Sequence, residues 1–381
     1  MKPDVLFLLH WPSAIHGSSI VGLSIKESRE INRAFNTRYI NLLLSDEVNE
    51  SGELTFRKFY KGLLIAGRLF KELVRRRPSV CYFALTTTGA AFLKDFILIF
   101  LLKLFRVPLV YHLHNKGFEE RKDSFFFRRL FHFAFANSAV ILLSRHLYSD
   151  VAPYVQPGQI RICPNGVTAA HYRNGQEKED IPEILFLSNL IRAKGVEVLL
   201  DACLLLKERN CSFRCTLAGG DGDISGMELV ELIEEKGLSA QVSYVGCKFG
   251  EEKEQVFSAA SIFAFPTYYK AETFGLVNVE AMQYRLPVVS TFEGGIPDVV
   301  EDGVTGFLVP QRDVVSLADK LEVLIKDEDL RVRMGQAGYR KYEKEFTFRK
   351  FESRLIEILQ GGISVSAEVS GQYGLTRSRR K

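Results

Sequence analysis

Two carboxylates stand eight residues apart where an apolar, strand-like run passes into a helical pattern. Glu272 lies in the loop after the run that ends at Phe265, and Glu280 lies in the helix that Gly275 opens. The first backbone N–H groups of a helix have no partner within it, so they favour an anion, most often a phosphate. Gly275 allows close approach to the backbone because it has no Cβ. The segment therefore predicts a site for a phosphorylated ligand.

Glu280 shares a helical stripe with Val277, Ala281 and Tyr284, and this stripe is expected to face inward. An inward carboxylate needs hydrogen-bond donors. Sugar hydroxyls supply such donors in pairs, and a salt bridge to a nearby Lys or Arg is the alternative. Glu272 would reach a different part of the same ligand, or it would be a solvated loop acid.

The elements that must position these residues follow from the alternation of short apolar runs with helical patterns. Such alternation predicts parallel sheets covered by helices on both faces. The pattern pauses in the polar segment 165–182 and then starts again. Strands are predicted at 4–9, 38–44, 79–84, 107–112, 138–143 and 159–163, and again at 183–188, 213–218, 241–245, 261–265, 287–291 and 306–309. Helices are predicted between them, including 20–35 and 144–152.

The predicted fold class is α/β, with two Rossmann-like, doubly wound parallel-sheet domains. Ligands of such sheets bind at the carboxyl ends of the strands, so we expect the two domains to face a central cleft. The predicted bounds are 1–170 for an N-terminal acceptor domain, 171–345 for a C-terminal donor domain, 346–360 for a helix that crosses back to the first domain, and 361–381 for a disordered basic tail.

Composition excludes several classes of protein. Apolar residues make up 46% of the chain and charged residues 25%, which excludes a largely disordered chain or a coiled coil. The six cysteines form no C-x-x-C pair, so they indicate thiols and no zinc site. The most apolar window, 90–105, contains Lys94, Asp95 and Lys103, which argues against a transmembrane helix and leaves a buried or membrane-surface helix open.

Charge is distributed unevenly along the chain. Residues 1–170 carry 23 Lys and Arg against 13 Asp and Glu, whereas residues 171–370 carry 23 against 33. A basic half predicts an anionic partner, which could be nucleic acid, an anionic membrane leaflet or a lipid phosphate. Solvated helix faces are the simpler alternative. The basic and aromatic stretches 75–77 and 125–129 favour the membrane surface beside the apolar helix.

The segment 266–295 resembles the E-x7-E region of the retaining glycosyltransferases of family 4, also called glycosyl transferases group 1. Glu272 and Glu280 match the two acids of that motif. Further segments match the family in the same order along the chain: 164–167 (PNGV), 188–195 (SNLIRAKG), 217–222 (LAGGDG), 294–298 (GGIPD) and 302–309 (DGVTGFLV). The resemblance implies the two-domain GT-B fold.

The resemblance also implies roles for individual residues. Glu280 would hold the ribose of a nucleotide, and Glu272 would grip the transferred sugar. The backbone amides of Phe274, Gly275 and Leu276 would hold the diphosphate. Asn189 stands where the family has a phosphate-binding arginine, so Arg192 is expected to join the family lysine, Lys194, at these phosphates.

In the first half, the resemblance indicates two further positions. Gly17 lies in the loop after the first strand and matches a Gly-rich loop whose amides reach the diphosphate. His114 matches the family histidine beside the transferred sugar. His112, two residues back on the same strand face, is the competing assignment.

The implied activity is transfer of a sugar, with retention of configuration, from a nucleotide-diphospho-sugar to a carbohydrate or lipid-linked acceptor. Surface polysaccharide or lipopolysaccharide synthesis is the expected setting, with a cytoplasmic location, peripheral on the inner face of the membrane. We expect no cofactor, no metal site and no nucleic acid partner. The alternatives are a nucleotide-sugar 2-epimerase of the same fold and a non-catalytic partner subunit.

Overall fold

The computed structural model describes residues 2–11, 17–43, 56–87, 89–169 and 181–374. The chain divides into two compact units. Unit 1 comprises Met1–Gly166 and Arg349–Lys381, and unit 2 comprises Val167–Phe348. Each unit is built on one six-stranded sheet in which all strand pairs are parallel. The predicted α/β fold with two parallel-sheet domains is thus confirmed.

Unit 1 has the sheet order β2-β1-β3-β4-β5-β6. Its strands are Asp4–Leu9 (β1), Asn36–Asn41 (β2), Val80–Leu85 (β3), Leu109–Leu113 (β4), Ser138–Leu142 (β5) and Ile160–Ile162 (β6). Its helices are Gly17–Glu27 (α1), Arg29–Ala34 (α2), Phe56–Arg75 (α3), Gly89–Leu104 (α4), Phe125–Phe135 (α5) and Tyr148–Val151 (α6). The direction in which the sheet grows reverses between β1 and β3, so ligands are expected at the carboxyl ends of these strands.

The last helix, α14, spans Phe348–Gly374 and belongs to unit 1 from Arg349 onward. Its Glu352 carboxylate accepts a hydrogen bond from the Ser28 hydroxyl at 2.5 Å, and its Phe351 ring stacks 6.3 Å from the ring of His112. Residues 361–374, predicted to be disordered, are therefore helical. They contain no proline, the residue that most strongly disfavours a helix interior.

Unit 2 has the sheet order β12-β11-β10-β7-β8-β9, which is the Rossmann arrangement. Its strands are Glu183–Leu187 (β7), Arg214–Ala218 (β8), Val242–Tyr244 (β9), Ile262–Phe265 (β10), Val288–Thr291 (β11) and Gly306–Val309 (β12). Its helices are Val196–Glu208 (α7), Gly226–Glu235 (α8), Gly250–Ala259 (α9), Leu276–Gln283 (α10), Ile296–Val299 (α11), Val314–Lys326 (α12) and Glu328–Lys341 (α13). Here the order reverses between β7 and β10.

Two predicted helices are divided in the structure. The helix predicted at 20–35 breaks at Ser28, whose side chain accepts from the Ile31 N–H and so caps α2. The helix predicted at 144–152 begins as a 3-10 turn at Arg145–Leu147 before α6. No helix in the described ranges is both long enough and apolar enough to cross a membrane.

Gly335 on α13 allows this helix to pack closely, and it yields a testable prediction. A Cβ at this position would lie only 2.0 Å from the Arg285 carbonyl oxygen. Although alanine normally stabilises a helix relative to glycine, we expect Gly335→Ala to lower the free energy of unfolding by about 2 kcal/mol because of this overlap. A Cβ at Gly361 on α14 would have no atom within 4 Å, so Gly361→Ala should raise the free energy of unfolding by about 0.5 kcal/mol. Urea unfolding measures both, and equal effects would contradict the packing argument.

Candidate functional site

Two loops of unit 2 meet where the strand order reverses. The β7 strand leads into a short 3-10 helix, Arg192–Lys194, and β10 leads into the loop that carries Glu272. The Tyr268 N–H donates to the Ala193 carbonyl at 2.8 Å, and the Thr267 hydroxyl donates to the same oxygen at 3.3 Å. Two hydrogen bonds to one backbone carbonyl therefore hold the loops together.

Lys194 and Glu272 form an ion pair between these loops. The Lys194 Nζ lies 2.5 Å from Glu272 Oε2, and the side chains are only 16% and 12% exposed. The ammonium also lies 4.6 Å from the centre of the Tyr269 ring and 5.6 Å from that of Phe265. A cation over aromatic rings is stabilised by their negative faces. The structure thus brings two predicted site residues, 78 positions apart in sequence, into contact.

The other carboxylate oxygen of Glu272 holds the start of helix α10. Glu272 Oε1 accepts the Gly275 N–H at 3.1 Å. Gly275 has a φ of +65°, and a Cβ there would lie 2.6 Å from the Asn278 side-chain nitrogen. Gly275 is therefore required both by its backbone conformation and by the space around it.

Gly294 supports the same loop from behind, and the sequence analysis did not single it out as a site residue. A Cβ at Gly294 would lie 2.4 Å from the Glu272 carbonyl oxygen. The next amide, Gly295 N–H, donates to the Thr273 carbonyl at 2.7 Å. Its position in a matching glycine-rich segment was the only sequence signal for this contact.

Phe274 and Leu276 lie on either side of Gly275 and have different surroundings. The Phe274 side chain is buried and makes an edge-to-face contact with Phe346 at 5.7 Å. Leu276 is the first residue of α10, where helical N–H groups have no partner within the helix. The Phe274 side chain thus anchors the turn in the core, and only backbone atoms of the segment remain suited to bind a ligand.

Glu280 lies on α10 and pairs with Lys253 of α9. The Lys253 Nζ lies 2.8 Å from Glu280 Oε1, and the Glu280 side chain is 17% exposed. The carboxylate is thus mostly enclosed, as its helical position predicted. The sequence offered no signal for Lys253 beyond its charge.

Arg192 is engaged with other acids. Its guanidinium pairs with Glu197 and with Glu228, and its backbone N–H donates to Asp223 Oδ1 at 2.6 Å. Asn189, at the position of the family arginine, is exposed. Of the two predicted cations, the structure therefore places Lys194 beside Glu272 and Arg192 among carboxylates.

In unit 1, three histidines gather at the carboxyl ends of β1 and β4. The rings of His112 and His114 are 4.1 Å apart, and the Tyr82 hydroxyl lies 2.6 Å from His112 Nδ1. His112 is fully buried on β4, and His114, which follows the strand, is mostly buried. Gly17 is the first residue of α1, and residues 12–16 before it lie outside the described ranges.

Burial controls the charge of these imidazoles. It lowers the pKa of His114 to about 3, with a smaller contribution from His10. It lowers the pKa of His10 to about 4, partly offset by Asp95, and it holds the pKa of His112 well below the ordinary value. All three rings are therefore neutral near neutral pH. Sequence spacing indicated His112 and His114 but not His10 or Tyr82.

Among the residues that the structure describes, no group of three or more His, Cys, Asp and Glu side chains is placed to hold a metal ion.

Comparison with known proteins finds similarity over most of the second unit. Residues 169–341 match the family model for Glycosyl transferases group 1. Most of the second unit is thus similar to the group 1 glycosyltransferases. A D-inositol 3-phosphate glycosyltransferase of Corynebacterium jeikeium is 36% identical over 194 residues, which are 46% of this chain and 46% of that protein. The chain thus aligns with about half the length of the first curated relatives it matches.

Solved structures resemble the chain over nearly its whole length. Sucrose-phosphate synthase from Thermosynechococcus elongatus has a TM-score of 0.74 at 18% identity and covers 96% of this chain and 100% of that one. Anabaena HepE in complex with UDP-glucose has a TM-score of 0.73 at 20% identity, and the match covers 94% of this chain and 100% of that one. At these identities the likeness concerns the fold, and it confirms the predicted GT-B class.

The Lys194–Glu272 pair predicts a coupled effect on stability. Lys194→Met leaves a mostly buried carboxylate without its cation and should lower the free energy of unfolding by about 2 kcal/mol. Adding Glu272→Gln removes that uncompensated charge, so the double variant should recover about half of the loss. Urea unfolding of the two single variants and the double variant measures the coupling. Strictly additive losses would show that the two charges do not interact.

The histidines predict sensitivity to acid. Their pKa values are lower in the folded chain than the ordinary 6.5, so protonation favours unfolding. The stabilisation they provide is complete above about pH 6.5 and is lost as the pH falls toward about 4. We expect the melting temperature to decrease as the pH is lowered between these two limits, and to decrease less in His114→Asn. His146→Asn, at an exposed position, is the matched substitution. Equal slopes in wild type and His114→Asn would refute this assignment.

Proposed function

We propose that the chain transfers a glycosyl group from a nucleoside diphosphate sugar to a hydroxyl of a carbohydrate or lipid-linked acceptor, with retention of configuration. The bond between the anomeric carbon and the diphosphate oxygen breaks, and a bond from that carbon to the acceptor oxygen forms on the same face. The acceptor proton passes to the leaving diphosphate. No oxidant, reductant or cofactor is needed for this balance.

The Lys194–Glu272 pair at the start of α10 is the observation that carries the proposal. It places a cation, a carboxylate and the first amides of a helix together at the strand-order reversal of a Rossmann-type sheet. A diphosphate fits the cation and the amides. The carboxylate fits the hydroxyls of the attached sugar. That the solved HepE structure is a complex with UDP-glucose supports a donor of this class.

Each site residue has a role in this proposal. Glu280 would accept hydrogen bonds from the ribose hydroxyls, exchanging its contact with Lys253 for them. Lys194 and the amides from Phe274 to Leu276 would stabilise negative charge on the leaving diphosphate, with Lys194 and the Gly275 N–H exchanging their contacts with Glu272 for it. Glu272 would orient the sugar.

The remaining predicted residues enter as follows. Arg192 would reach the phosphates only by releasing Glu197 or Glu228. His114, neutral near pH 7, would donate or accept one hydrogen bond at the sugar, with His112 packed against its ring. The Gly17 amide at the start of α1 would contact the diphosphate. Because side-chain cations and amides supply the positive charge, activity is expected to persist in the presence of a chelator.

The acceptor is assigned to the basic first unit. The excess of Lys and Arg over residues 1–170 suits a lipid-linked acceptor carrying phosphate at an anionic leaflet. We therefore propose a role in surface polysaccharide or lipopolysaccharide synthesis, at the cytoplasmic face of the membrane.

Donor binding tests the site. Glu280→Gln keeps the size of the side chain but removes the charge that strengthens hydrogen bonds to the ribose, so affinity for a nucleoside diphosphate sugar should fall about 100-fold. Lys253→Met, the matched control, removes only the partner of Glu280 and should change affinity by less than about 10-fold. Calorimetric titration with UDP and GDP sugars measures both. Unchanged affinity in Glu280→Gln would show that this carboxylate serves only its salt bridge.

Product analysis tests the reaction. With donor and a hydroxyl acceptor, wild type should release nucleoside diphosphate and form a glycoside with the anomeric configuration of the donor. A new nucleotide sugar without release of nucleotide would instead identify an epimerase. Donor binding without any turnover over a panel of acceptors would favour the non-catalytic alternative.

A further inference from the structure

Three helices of unit 1 expose large apolar side chains on their outer faces. Of the 22 large apolar side chains exposed in the described ranges, 12 belong to α3, α4 and α5. Single exposed apolar residues are ordinary on a protein surface, whereas a concentration of them indicates a binding surface.

Helix α3 carries two apolar stripes on opposite sides. The inner stripe, Ile65, Leu69 and Leu73, is buried in the core. The outer stripe is between 47% and 63% exposed and consists of Tyr60, Leu63, Leu64, Phe70 and Val74. A helix that only covers a sheet needs the inner stripe alone. The outer stripe therefore requires another explanation.

Helices α4 and α5 continue this surface. The outer residues of α4 recur at helical spacing and are exposed: Leu93, Ile97, Phe100 and Leu104. Helix α5 adds Phe125, Phe126 and Phe133. Ring contacts join the helices, because Phe70 of α3 lies 5.8 Å from Phe105 at the end of α4, and Phe100 lies 6.3 Å from Phe133. We call this continuous surface the α3–α5 face.

The α3–α5 face is bordered by positive charge. Helix α3 carries Lys61, Arg68, Lys71 and Arg75, and α5 carries Arg128 and Arg129. The acids within the three helices are Glu72, which pairs with Arg38, and Asp95, which is fully buried beside Lys94. Arg129 and Lys103 lie over the Phe125 and Phe133 rings, at 4.5 and 5.4 Å. Cations thus border the apolar rings, and the helices present no unpaired carboxylate.

This combination fits one kind of partner better than others. An anionic bilayer accepts apolar side chains at the acyl boundary while its phosphates neutralise Lys and Arg held at the same level. A second copy of this chain would bring one basic border against another, which costs free energy. Nucleic acid would match the charge but would leave the apolar stripes in water.

We propose that the α3–α5 face lies on an anionic lipid bilayer, with its apolar stripes at the acyl boundary and its Lys and Arg side chains at the lipid phosphates. The proposal deepens the proposed function, because it names the surface through which the first unit reaches the layer that holds a lipid-linked acceptor. It depends on that function only for the identity of the acceptor.

Vesicle co-sedimentation of the full chain tests the proposal. Wild type should bind vesicles of equal parts phosphatidylglycerol and phosphatidylethanolamine, and should bind pure phosphatidylcholine vesicles at least about 100-fold more weakly. Leu64→Glu/Phe100→Glu and Arg68→Gln/Lys71→Gln/Arg75→Gln should each weaken binding to the anionic vesicles by about 100-fold. All these side chains are exposed, so the variants should fold, which their melting temperatures check.

Matched substitutions on unit 2 provide the controls. Met227→Glu and Val315→Glu alter apolar side chains that are 75% and 55% exposed, and Arg333→Gln/Arg340→Gln removes two exposed charges. These variants should bind the anionic vesicles as wild type does. Wild-type binding by the α3–α5 variants, or no vesicle binding by wild type, would overturn the proposal. So would a dimer in size-exclusion chromatography that the same variants convert to a monomer, because the face would then be a protein interface.

A tryptophan probe distinguishes insertion from adsorption by charge alone. The sequence contains a single tryptophan, Trp11, so Phe100→Trp adds one reporter to a low background. Its emission should shift to the blue on anionic vesicles and be quenched by brominated acyl chains. Binding without either change would refute insertion of the apolar stripe. Donor titration of the same samples distinguishes the bilayer proposal from the proposed function. A variant that loses vesicle binding but keeps its donor affinity is affected at the α3–α5 face only.

Discussion

The candidate site of the second unit depends on one ion pair, between Lys194 and Glu272, whose side chains are mostly enclosed. Lys194 and Glu272 come from loops that are far apart in sequence, and each would be costly to bury alone. The pair is possible because β7 and β10 are neighbours at the point where the strand order reverses, so that the loops after them begin side by side. Glu272 then extends the constraint to the Gly275 amide and thus to the start of α10. The site is a consequence of topology as much as of residue type.

The first unit uses the same type of sheet with different chemistry at its strand ends. Its His10, His112 and His114 rings are kept neutral by burial, and the Tyr82 hydroxyl occupies one nitrogen of His112. Neutral imidazoles can donate or accept single hydrogen bonds without attracting a phosphate strongly. Positive charge in this unit is carried instead by the outer helices, beside apolar side chains that face solvent. The two units therefore present contrasting sites: a charged pair at the strand ends of one, and neutral rings at those of the other.

Much of the fold was predictable from pattern. The twelve predicted strands are all present, with ends that differ by at most three residues, because apolar runs in a parallel sheet are bounded by polar loops. The helix predicted at 20–35 was wrong at its centre, since a serine that caps α2 has no distinctive sequence context. The last helix continues past the predicted end at residue 360, because the glycines of 361–374 favour a helix end but, unlike proline, do not enforce one.

The sequence alone determined the α/β class and the two-fold repetition of the strand–helix pattern, and it predicts a phosphorylated ligand at the segment around Glu272, Gly275 and Glu280. Only the tertiary structure decided which charges meet: Lys194 with Glu272, Lys253 with Glu280, and Arg192 with Glu197 and Glu228. It also decided that the outer stripe of α3 faces solvent and the inner one the core. The reason is that periodicity records which side of an element is apolar, whereas pairing between elements depends on three-dimensional distances that a linear pattern does not contain.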